Sequence, residues 1–520
     1  MAKASLGLQS RLTLRSYGWV ASNRKPFQHA SRIFIKHDMT AVPEAPLQTW
    51  SDEIRFTTKL SWPLILGQIT QRLMLIINVV MMGHLGAKEL ACGTLAMAIL
   101  NPILLCTGGI LTAVAPLTAQ AIGSGLESGG RAFFQQGIWL SLILSSLAIP
   151  LLYNTGTALE FLGQSPELSW QAGEFGKALC LMLPPYMVML VARNFLAAHG
   201  QTVIALAILV VGAALNFAIC CLIVENVWGL GQYGLFGIGL STALANLAIA
   251  VALLFYISSN PHTNAVDPYH GLHRIDFTSL KAVSIVGMPI GGATLLEVAF
   301  FSASSLLMGY QGDAVLAAYA LSGQLNGLAF AIPTGIGVAA MVRVGWAYGA
   351  GSWIAMQRAC FSAIGMGVAT GLCVGLTYAL FPSVFISIFI DVTVAENDVL
   401  VRIATLFLYI VAVMQIVDAI QGIVSNVLRG MSDTFVPLLL ILTGYWFFGF
   451  PLALILSGPA GYGGTGVYIG LLVGVVLVAV ALTGRLFYRL GKMKEAAQRA
   501  FVPASSHELP VVLGTEIKDH

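Results

Sequence analysis

Two acidic residues lie inside stretches that are otherwise almost entirely apolar. Glu297 is surrounded by Leu, Val, Ala and Phe, and Asp418 is surrounded by Ile, Val and Ala, with Gln415 and Gln421 three residues away on either side. A charged side chain at the centre of a bilayer costs at least about 2.5–3.5 kcal/mol, so it is retained where a partner or a function holds it. Carboxylate and amide oxygens can bind Na⁺, and a carboxylate can carry a proton. We interpret Glu297 and Asp418 as coupling-ion residues, with hydrogen bonds between helices as the alternative for each.

Other polar and aromatic residues accompany these acids. Gln71 and Arg72 are adjacent in an apolar stretch. We expect Arg72 either to form an ion pair with an acid, with a functional or a structural role, or to extend its guanidinium towards the membrane surface. Tyr186 and Phe300 are candidates for lining a pocket that holds planar cations, with ordinary packing as the alternative. Asn194 and Asn426 are further candidates for such a pocket.

Motifs of nucleotide-driven or hydrolytic chemistry are not evident in the sequence. The tripeptides beginning at Gly176 and Gly491 lack the glycine pattern and the Ser/Thr of a phosphate-binding loop. HExxH and GxSxG are missing as well. We therefore expect no enzymatic activity and no cofactor, and we expect any energy to come from an ion gradient of Na⁺ or H⁺.

The amino-acid composition indicates that the protein is surrounded by a lipid bilayer. Of 520 residues, 57% are hydrophobic and 9% are charged, whereas soluble domains carry about 25% charged residues. The seven cysteines all fall in apolar stretches without metal-like spacing, so we interpret them as small buried residues. The chain is predicted to be an integral, multi-pass membrane protein of the all-α class.

About twelve apolar stretches are long enough to span a membrane. With the N-terminus placed in the cytoplasm, the basic residues fall mainly on the cytoplasmic side and the acidic residues mainly outside, with Lys88 and Arg402 as exceptions. This distribution follows the positive-inside rule and places both termini in the cytoplasm. The stretches centre near residues 70, 105, 142, 183, 210, 245, 295, 330, 370, 412, 445 and 475.

The chain repeats itself. Met82-Gly83 with Gly86 matches Met308-Gly309 with Gly312 at an offset of 226 residues, and the same offset links many further pairs. A second register, at an offset of 232, matches Asn194 to Asn426. Each repeat holds about six helices, so the predicted fold is twelve transmembrane helices in two pseudo-symmetric six-helix lobes, a parallel repeat related by a two-fold axis along the membrane normal.

The repeat also shows that the acids occur in one half only. Glu297 corresponds to Gln71, and Asp418 corresponds to Tyr186. Two lobes that rock against each other can alternate access to a central site. We therefore expect the coupling ion to bind in the C-terminal lobe.

The predicted organisation has five parts. They are a basic, disordered arm over 1–52, an N-terminal lobe over 53–257, a cytoplasmic linker over 258–277, a C-terminal lobe over 278–490 and a cytoplasmic tail over 491–520. Residues 1–38 hold many basic residues, which is compatible with a transit peptide, a basic arm or a start codon placed too early, with Met39 as the alternative start.

These motifs resemble the multidrug and toxic compound extrusion (MATE) family. The resemblance lies in the paired Met-Gly-x-x-Gly-x-x-x-Leu-Ala segments at 82–91 and 308–317, in Glu297, and in Asp418 followed by Leu428-Arg429-Gly430. It implies export of organic cations in exchange for Na⁺ or H⁺, with Glu297 and Asp418 in the cation site. One departure is Asn78, at a position where the family often has an Asp, so a proton site in the N-terminal lobe is in doubt.

The leading hypothesis is a secondary antiporter that exports small organic, cationic, drug-like compounds. The alternative is a lipid-linked precursor flippase of the same broad superfamily, which would need a basic central cavity for pyrophosphate. Three or more Arg or Lys side chains facing the cavity would favour this alternative. A receptor or scaffold is disfavoured because it would not need acids buried in one lobe. We expect a monomer in the plasma membrane whose partners are a small-molecule substrate and the lipid bilayer, with no nucleic acid.

Overall fold

Twelve long helices make up most of the structure, a computed structural model that describes residues 49–264 and 267–501. The predicted N-terminal arm, except its last few residues, and most of the predicted C-terminal tail lie outside these ranges. No strand occurs in the described residues, which confirms the all-α prediction. The helices are α1 Trp50–Leu85, α2 Ala87–Gly123, α3 Glu127–Tyr153, α4 Pro166–Ala198, α5 Thr202–Val224, α6 Gly234–Ser259, α7 Phe277–Tyr310, α8 Asp313–Gly349, α9 Trp353–Leu380, α10 Asp398–Gly430, α11 Phe435–Ser457 and α12 Gly463–Phe501.

Each of the twelve predicted stretches corresponds to one of these helices. All twelve are long and apolar enough to cross a membrane. Large apolar side chains such as Leu147, Phe255 and Leu306 are exposed on the outer surface, as expected for helices whose solvent is lipid. The chain is thus an integral multi-pass membrane protein. Shorter helices Thr155–Phe161, Val227–Tyr233, Pro261–Asn264, Pro382–Ser387 and Ala395–Asn397 connect the long ones.

Polar side chains cap several helix starts. Thr49 precedes α1, and its hydroxyl oxygen accepts a hydrogen bond of 3.1 Å from the backbone N–H of Asp52. Asp276 precedes α7 and accepts from the backbone N–H groups of Thr278 and Ser279 at 3.0 and 3.3 Å. The hydroxyl of Ser279, together with these backbone donors, holds the pKa of Asp276 below its usual range. These caps satisfy N–H groups that the first turn of a helix leaves without partners.

The helix boundaries repeat with the offsets found in the sequence. Gly86 and Gly312, 226 residues apart, both adopt positive φ, 152° and 115°, between the first two helices of each lobe. At the offset of 232, Gly200 and Ser432 both adopt left-handed φ, 72° and 55°, after α4 and α10. The two-lobe prediction is confirmed, because equivalent helices begin and end at equivalent residues.

Each lobe has its own apolar core. The N-terminal core is centred on buried side chains of α2, α3, α4 and α6, such as Phe134, Phe175 and Phe195. The C-terminal core is centred on α8, α10, α11 and α12, with Phe407 and Tyr445 among its largest buried side chains. The N-terminal core also includes buried side chains from the first half of α7, so this part of α7 packs on the opposite lobe.

The lobes meet along one face, which we call the closed face: the inter-lobe contacts at the start of α1 and the ends of α2, α4 and α8. A small core there includes Leu60, Ala119, Ala339 and Trp346. Two repeat-equivalent glycines form its tightest contacts: a Cβ on Gly123 would lie 2.1 Å from the carbonyl oxygen of Trp346, and one on Gly349 would lie 2.1 Å from that of Gln120. Only glycine permits this approach of the two backbones.

A buried ion pair and side-chain hydrogen bonds join the lobes at the closed face. Arg343 of α8 donates from Nε and Nη2 to the two carboxylate oxygens of Glu53 in α1, at 2.9 and 2.6 Å, and both side chains are at most 7% exposed. The guanidinium also lies over the ring of Phe56, 4.8 Å from its centroid. Gln120 of α2 donates to the carbonyl of Gly430 and to the hydroxyl of Ser432, both at 2.8 Å.

The described part of the inter-lobe linker packs on α3. Gln135 donates to the carbonyls of Pro268 and His270, both at 2.9 Å, and Trp139 donates to that of Leu272 at 2.8 Å. Tyr269 donates to the carbonyl of Leu254 at 2.6 Å, and burial raises the pKa of its hydroxyl to about 12, so it stays protonated at neutral pH. These residues of the linker are therefore anchored to the N-terminal lobe.

Two helices of the C-terminal lobe contain irregular turns near the cavity. In α8 the parts Asp313–Ala329 and Ala331–Gly349 meet at Phe330. In α11 a π-helical segment, Thr443–Gly449, separates two short α-helical parts. Such segments re-aim side chains and are frequent at functional sites. The last helix, α12, continues to Phe501, beyond the lobe boundary expected at residue 490.

Candidate functional site

A central cavity of about 990 Å³ lies between the two lobes, on the side of the molecule opposite the closed face. Its walls come mainly from the second half of α1, the first half of α2, the middle of α4, the second half of α7 and the first half of α8, with α10 adding Asp418. A cavity of this volume accommodates a drug-sized molecule. Because the closed face seals the other side, the cavity is accessible from one side only.

The lining of the cavity follows the internal repeat. Many wall positions occur in equivalent pairs, one from each lobe, so the pseudo-two-fold axis passes through the cavity. The pairs that differ in charge or polarity are the places where the chemistry of the two lobes differs. The equivalent pairs include Gln68 and Thr294, Gln71 and Glu297, Arg72 and Val298, Asn101 and Gly327, Met182 and Met414, and Tyr186 and Asp418.

Both acids proposed for ion coupling face this cavity from the C-terminal lobe. Glu297 of α7 is partly exposed and Asp418 of α10 is 4% exposed, and the two carboxyl groups are close enough to interact electrostatically. Glu297 accepts a side-chain hydrogen bond from Gln421 and lies near the guanidinium of Arg429. The predicted pair of acids is thus brought together at one place.

Amide side chains hold Asp418 in position. Asp418 accepts a side-chain hydrogen bond from Asn326 of α8. The Oδ1 atom of Asn326 in turn accepts from Nε2 of Gln415, at 2.6 Å. Gln415 is buried and does not line the cavity, so it supports Asp418 through Asn326.

Two neutral oxygens near the acids have no hydrogen-bond partner among the described residues. They are Oε1 of Gln421 and the hydroxyl of Tyr445, and both are buried. Tyr445 lies in the π-helical segment of α11, close enough to Glu297 and Asp418 to interact with both. Buried polar atoms are normally satisfied, so these oxygens are candidates for contacting an ion.

The N-terminal lobe has a neutral network where the other lobe has acids. Asn78 lines the cavity, and its Nδ2 donates to the hydroxyl of Thr242 at 3.0 Å. Thr242 also accepts a long hydrogen bond, 3.4 Å, from Asn216, and donates to the carbonyl of Ile238 at 3.0 Å. Every member of this network is uncharged.

Gln71, Arg72 and Tyr186 also line the cavity, as proposed from the sequence. Arg72 forms no hydrogen bond or ion pair with any residue that the structure describes. Its Nη1 atom reaches α8 of the opposite lobe, where a Cβ built on Gly327 would lie 3.0 Å away. The interpretation of Arg72 as one member of an ion pair is therefore not supported in this conformation.

Three residues proposed for the cavity lie elsewhere. Phe300 is fully buried and stacks on Tyr445 with a centroid distance of 4.6 Å, because its face of α7 points into the lobe core. Asn194 donates to the carbonyl of Leu111 at 3.2 Å, and Asn426 donates to that of Gly422 at 2.8 Å. Both amides are directed to neighbouring backbone rather than to the cavity.

Asn326 was not selected from the sequence, although a signal for it exists. Its equivalent in the other lobe is the apolar Leu100. The C-terminal lobe thus has the more polar residue at this pair of positions, as it does at Asp418 and Tyr186. The sequence identifies Arg429 only as part of the Leu428-Arg429-Gly430 motif. Its proximity to Glu297 depends on how α7 packs against α10, which residue spacing does not specify.

The charge of the cavity is unlike that of a site for pyrophosphate. Among the wall residues that the structure describes, Arg72 is the single base, against the two acids Glu297 and Asp418. The expectation of three or more bases, set for a lipid-linked precursor flippase, is not met. In the described ranges there is also no group of three or more His, Cys, Asp or Glu side chains that would suit a transition metal.

Comparisons with known proteins agree with this architecture. The profile of the MatE family matches twice, at residues 63–222 and 289–455, once in each lobe. The "Probable multidrug resistance protein NorM" of Rhizobium meliloti is 31% identical over 452 residues, covering 87% of this chain and 97% of the relative. That of Pseudomonas putida is 32% identical over 441 residues, covering 85% and 96%.

A solved structure has the same fold. The crystal structure of the eukaryotic MATE transporter AtDTX14 aligns with a TM-score of 0.76 at 20% sequence identity. The alignment covers 86% of this chain and 99% of the other chain. At this identity the likeness establishes the fold alone.

Proposed function

The chain belongs to the MatE family, and from that premise we propose that it is a multidrug efflux transporter that exports small organic, drug-like compounds, chiefly cations, in exchange for Na⁺ or H⁺. It is a transporter rather than an enzyme. The observation that carries the proposal is the pair of acids, Glu297 and Asp418, that face one inter-lobe cavity from one lobe only.

The multidrug part of the proposal rests on the two relatives described above, which are both called probable multidrug resistance proteins. The cavity is compatible with such substrates, since it is large and mixes aromatic and methionine side chains with few charges. Methionine adapts its shape to different ligands, which suits a site with many substrates.

Ion coupling follows from the chemistry of the acid site. Glu297, Asp418 and the partnerless oxygens of Gln421 and Tyr445 supply hard oxygen atoms that suit Na⁺. A proton on either carboxyl group would reduce the negative charge of the site in the same way. Ion binding would drive export if it favoured one arrangement of the lobes and so lowered the affinity for the substrate, because coupling requires different affinities in the two states.

The orientation of the chain in the membrane is part of the proposal. Basic residues cluster in the loops on the side of the termini, so we assign that side to the cytoplasm of the plasma membrane. The closed face is then cytoplasmic, and the cavity opens outwards. A single chain encloses the whole cavity, so we propose that the transporter works as a monomer.

Transport in proteoliposomes tests the ion-coupling proposal. The wild-type protein is expected to move a cationic dye when a Na⁺ or a pH gradient is imposed separately, and the effective gradient identifies the ion. Glu297→Gln and Asp418→Asn are each expected to lower the gradient-driven rate at least about 10-fold, equivalent to about 1.4 kcal/mol. The control is Glu160→Gln, because Glu160 is an exposed acid outside the cavity. This variant is expected to transport the dye at the wild-type rate.

Two results would reject the coupling assignment. One is a gradient-driven rate in Glu297→Gln equal to that of the wild type at equal reconstitution. The other is dye movement by the wild type that responds to neither gradient.

A further inference from the structure

Arg72 is a cation in the cavity wall without a partner in the protein. It is exposed to the cavity, and no ion pair or hydrogen bond connects it to any described residue. Charged residues inside membrane proteins usually pair with one another or face a functional pathway. Since Arg72 has no such pair in this conformation, its charge is available to a molecule in the cavity.

The repeat indicates that this cation is specific to one lobe. The equivalent position in the C-terminal lobe is Val298, which also lines the cavity. The arginine is therefore not required by the packing of this helix position, because the same helix of the other lobe packs with valine. Gly327 lies opposite Arg72 and has no side chain, so it leaves room for the guanidinium. The equivalent residue in the N-terminal lobe is Asn101, which carries a side chain at this position.

The acids and the cation line one chamber, and no ion pair among the described residues joins Arg72 to Glu297 or Asp418. The Nη1 atom of Arg72 lies beside Gly327, the residue after Asn326, which holds Asp418. A bound molecule can thus meet a cation and two acids at once without displacing an internal ion pair.

We propose that Arg72 is a binding subsite for a carboxylate or similar anionic group of the substrate, so that the preferred substrates are zwitterionic amphiphiles rather than simple cations. A guanidinium binds a carboxylate through two parallel hydrogen bonds, which an ammonium cannot reproduce. The positive end of the same molecule would face Glu297 and Asp418. The inference rests on the proposed export function and specifies its substrate class.

Binding of two matched dyes tests the subsite. Rhodamine B carries a carboxylate beside a permanent cation, and its methyl ester keeps only the cation. Fluorescence anisotropy of the purified full-length protein is expected to give at least about 10-fold tighter binding of the acid than of the ester, because only the acid can form a charge-assisted contact with Arg72.

Three variants distinguish a direct contact from a structural role. Arg72→Gln is expected to weaken binding of the acid at least about 10-fold more than binding of the ester, which removes the preference. Arg72→Lys should restore part of that preference, because it restores the charge but not the paired donors. Arg55→Gln makes the same change on the same helix at an exposed position outside the cavity, and it should keep the wild-type preference.

The subsite is overturned if the wild type does not prefer the acid, or if Arg72→Gln weakens binding of both dyes equally. The export function is tested apart from this by transport of both dyes in proteoliposomes. A protein that prefers the acid through Arg72 but moves neither dye would have the subsite without the proposed export. A protein that moves both dyes equally well before and after Arg72→Gln would have the export without the subsite.

Discussion

At the scale of single residues, the two lobes differ in a few side chains that occupy equivalent places. Glu297 replaces Gln71, Asp418 replaces Tyr186, and Val298 replaces Arg72 around one chamber. Nearby, the amide of Asn78 donates to Thr242. The chemical asymmetry of the chamber thus arises from individual substitutions in a duplicated framework.

The neutral network around Asn78 predicts the effect of introducing an acid there. In Asn78→Asp the residue loses the N–H that donates to Thr242, whose own hydroxyl proton already points to Ile238. A carboxylate would face the lone pairs of Thr242 in a site where Asn78 is 1% exposed. The expected loss of stability is about 1–3 kcal/mol, seen as a lower melting temperature in detergent. Asn78→Asp with an unchanged melting temperature would contradict this account.

Some of these residues could be predicted from the sequence and others could not. Glu297 and Asp418 were found because a carboxyl group in an apolar stretch is conspicuous and lacks an equivalent in the other repeat. Phe300 was misplaced, because apolar residues occur both on the cavity face and on the core face of its helix, so the sequence does not distinguish the two faces. The role of Tyr445 depends on a local change in helical pitch, for which we found no sequence signal.

At the scale of helices, the irregular turn in α11 determines where Tyr445 lies. The π-helical segment brings Gly449 against α12, where a Cβ would lie 2.9 Å from Cα of Gly474 and 3.0 Å from Cζ of Phe300. Phe300 in turn stacks on Tyr445. The close approach of two backbones therefore supports the wall behind the acid site.

A glycine substitution tests this packing. Gly449→Ala is expected to lower the melting temperature, because a methyl group there overpacks the contact at a cost of about 1–3 kcal/mol. The matched control is Gly484→Ala in α12, where a new Cβ meets nothing within 4 Å and the helix propensity improves. Equal melting temperatures for the two variants would show that the segment tolerates the extra volume.

The positions of the helices were predictable, whereas their interruptions were not. All twelve predicted centres fall within spanning helices, because about 20 apolar residues are needed for each crossing. The break at Phe330 and the π-helical segment were not predicted. Membrane helices tolerate glycine and proline without breaking, so these residues do not locate an interruption by themselves.

At the scale of the molecule, the ion pair of Glu53 and Arg343 is buried between the lobes at the closed face. If the lobes separate there, both charges regain water. Removal of one partner leaves the other charge buried and unpaired, at a cost of about 3–5 kcal/mol. The pair therefore contributes to the preference for the state seen here.

Spin-label distances test the contribution of this pair. Labels at Ser128 and Ile354, exposed and equivalent in the repeat, are placed in a variant without native cysteines. Glu53→Gln and Arg343→Gln are each expected to lengthen the mean distance by populating the state opened on this side. The exchange of both residues, Glu53→Arg with Arg343→Glu, is expected to restore the short distance in part. Identical distance distributions in the wild type and both single variants would refute the role of the pair.

The duplicated architecture was predictable from offsets of 226 and 232 residues, which recur at the ends of helices in both lobes. The side on which the lobes are closed was not predictable. A transporter that works by alternating access, as proposed, has to be stable in more than one arrangement, so its sequence would be compatible with each of them.

The contact of Gly123 with Trp346, and of Gly349 with Gln120, has a consequence for leakage. At these two points main chain meets main chain, so no side-chain rotation can open a path through them. A hydrated ion that reaches the bottom of the chamber thus meets a seal that opens only when whole lobes move. An ion can therefore cross these contacts only if the two lobes separate, so an open chamber would not by itself add a leak to the membrane.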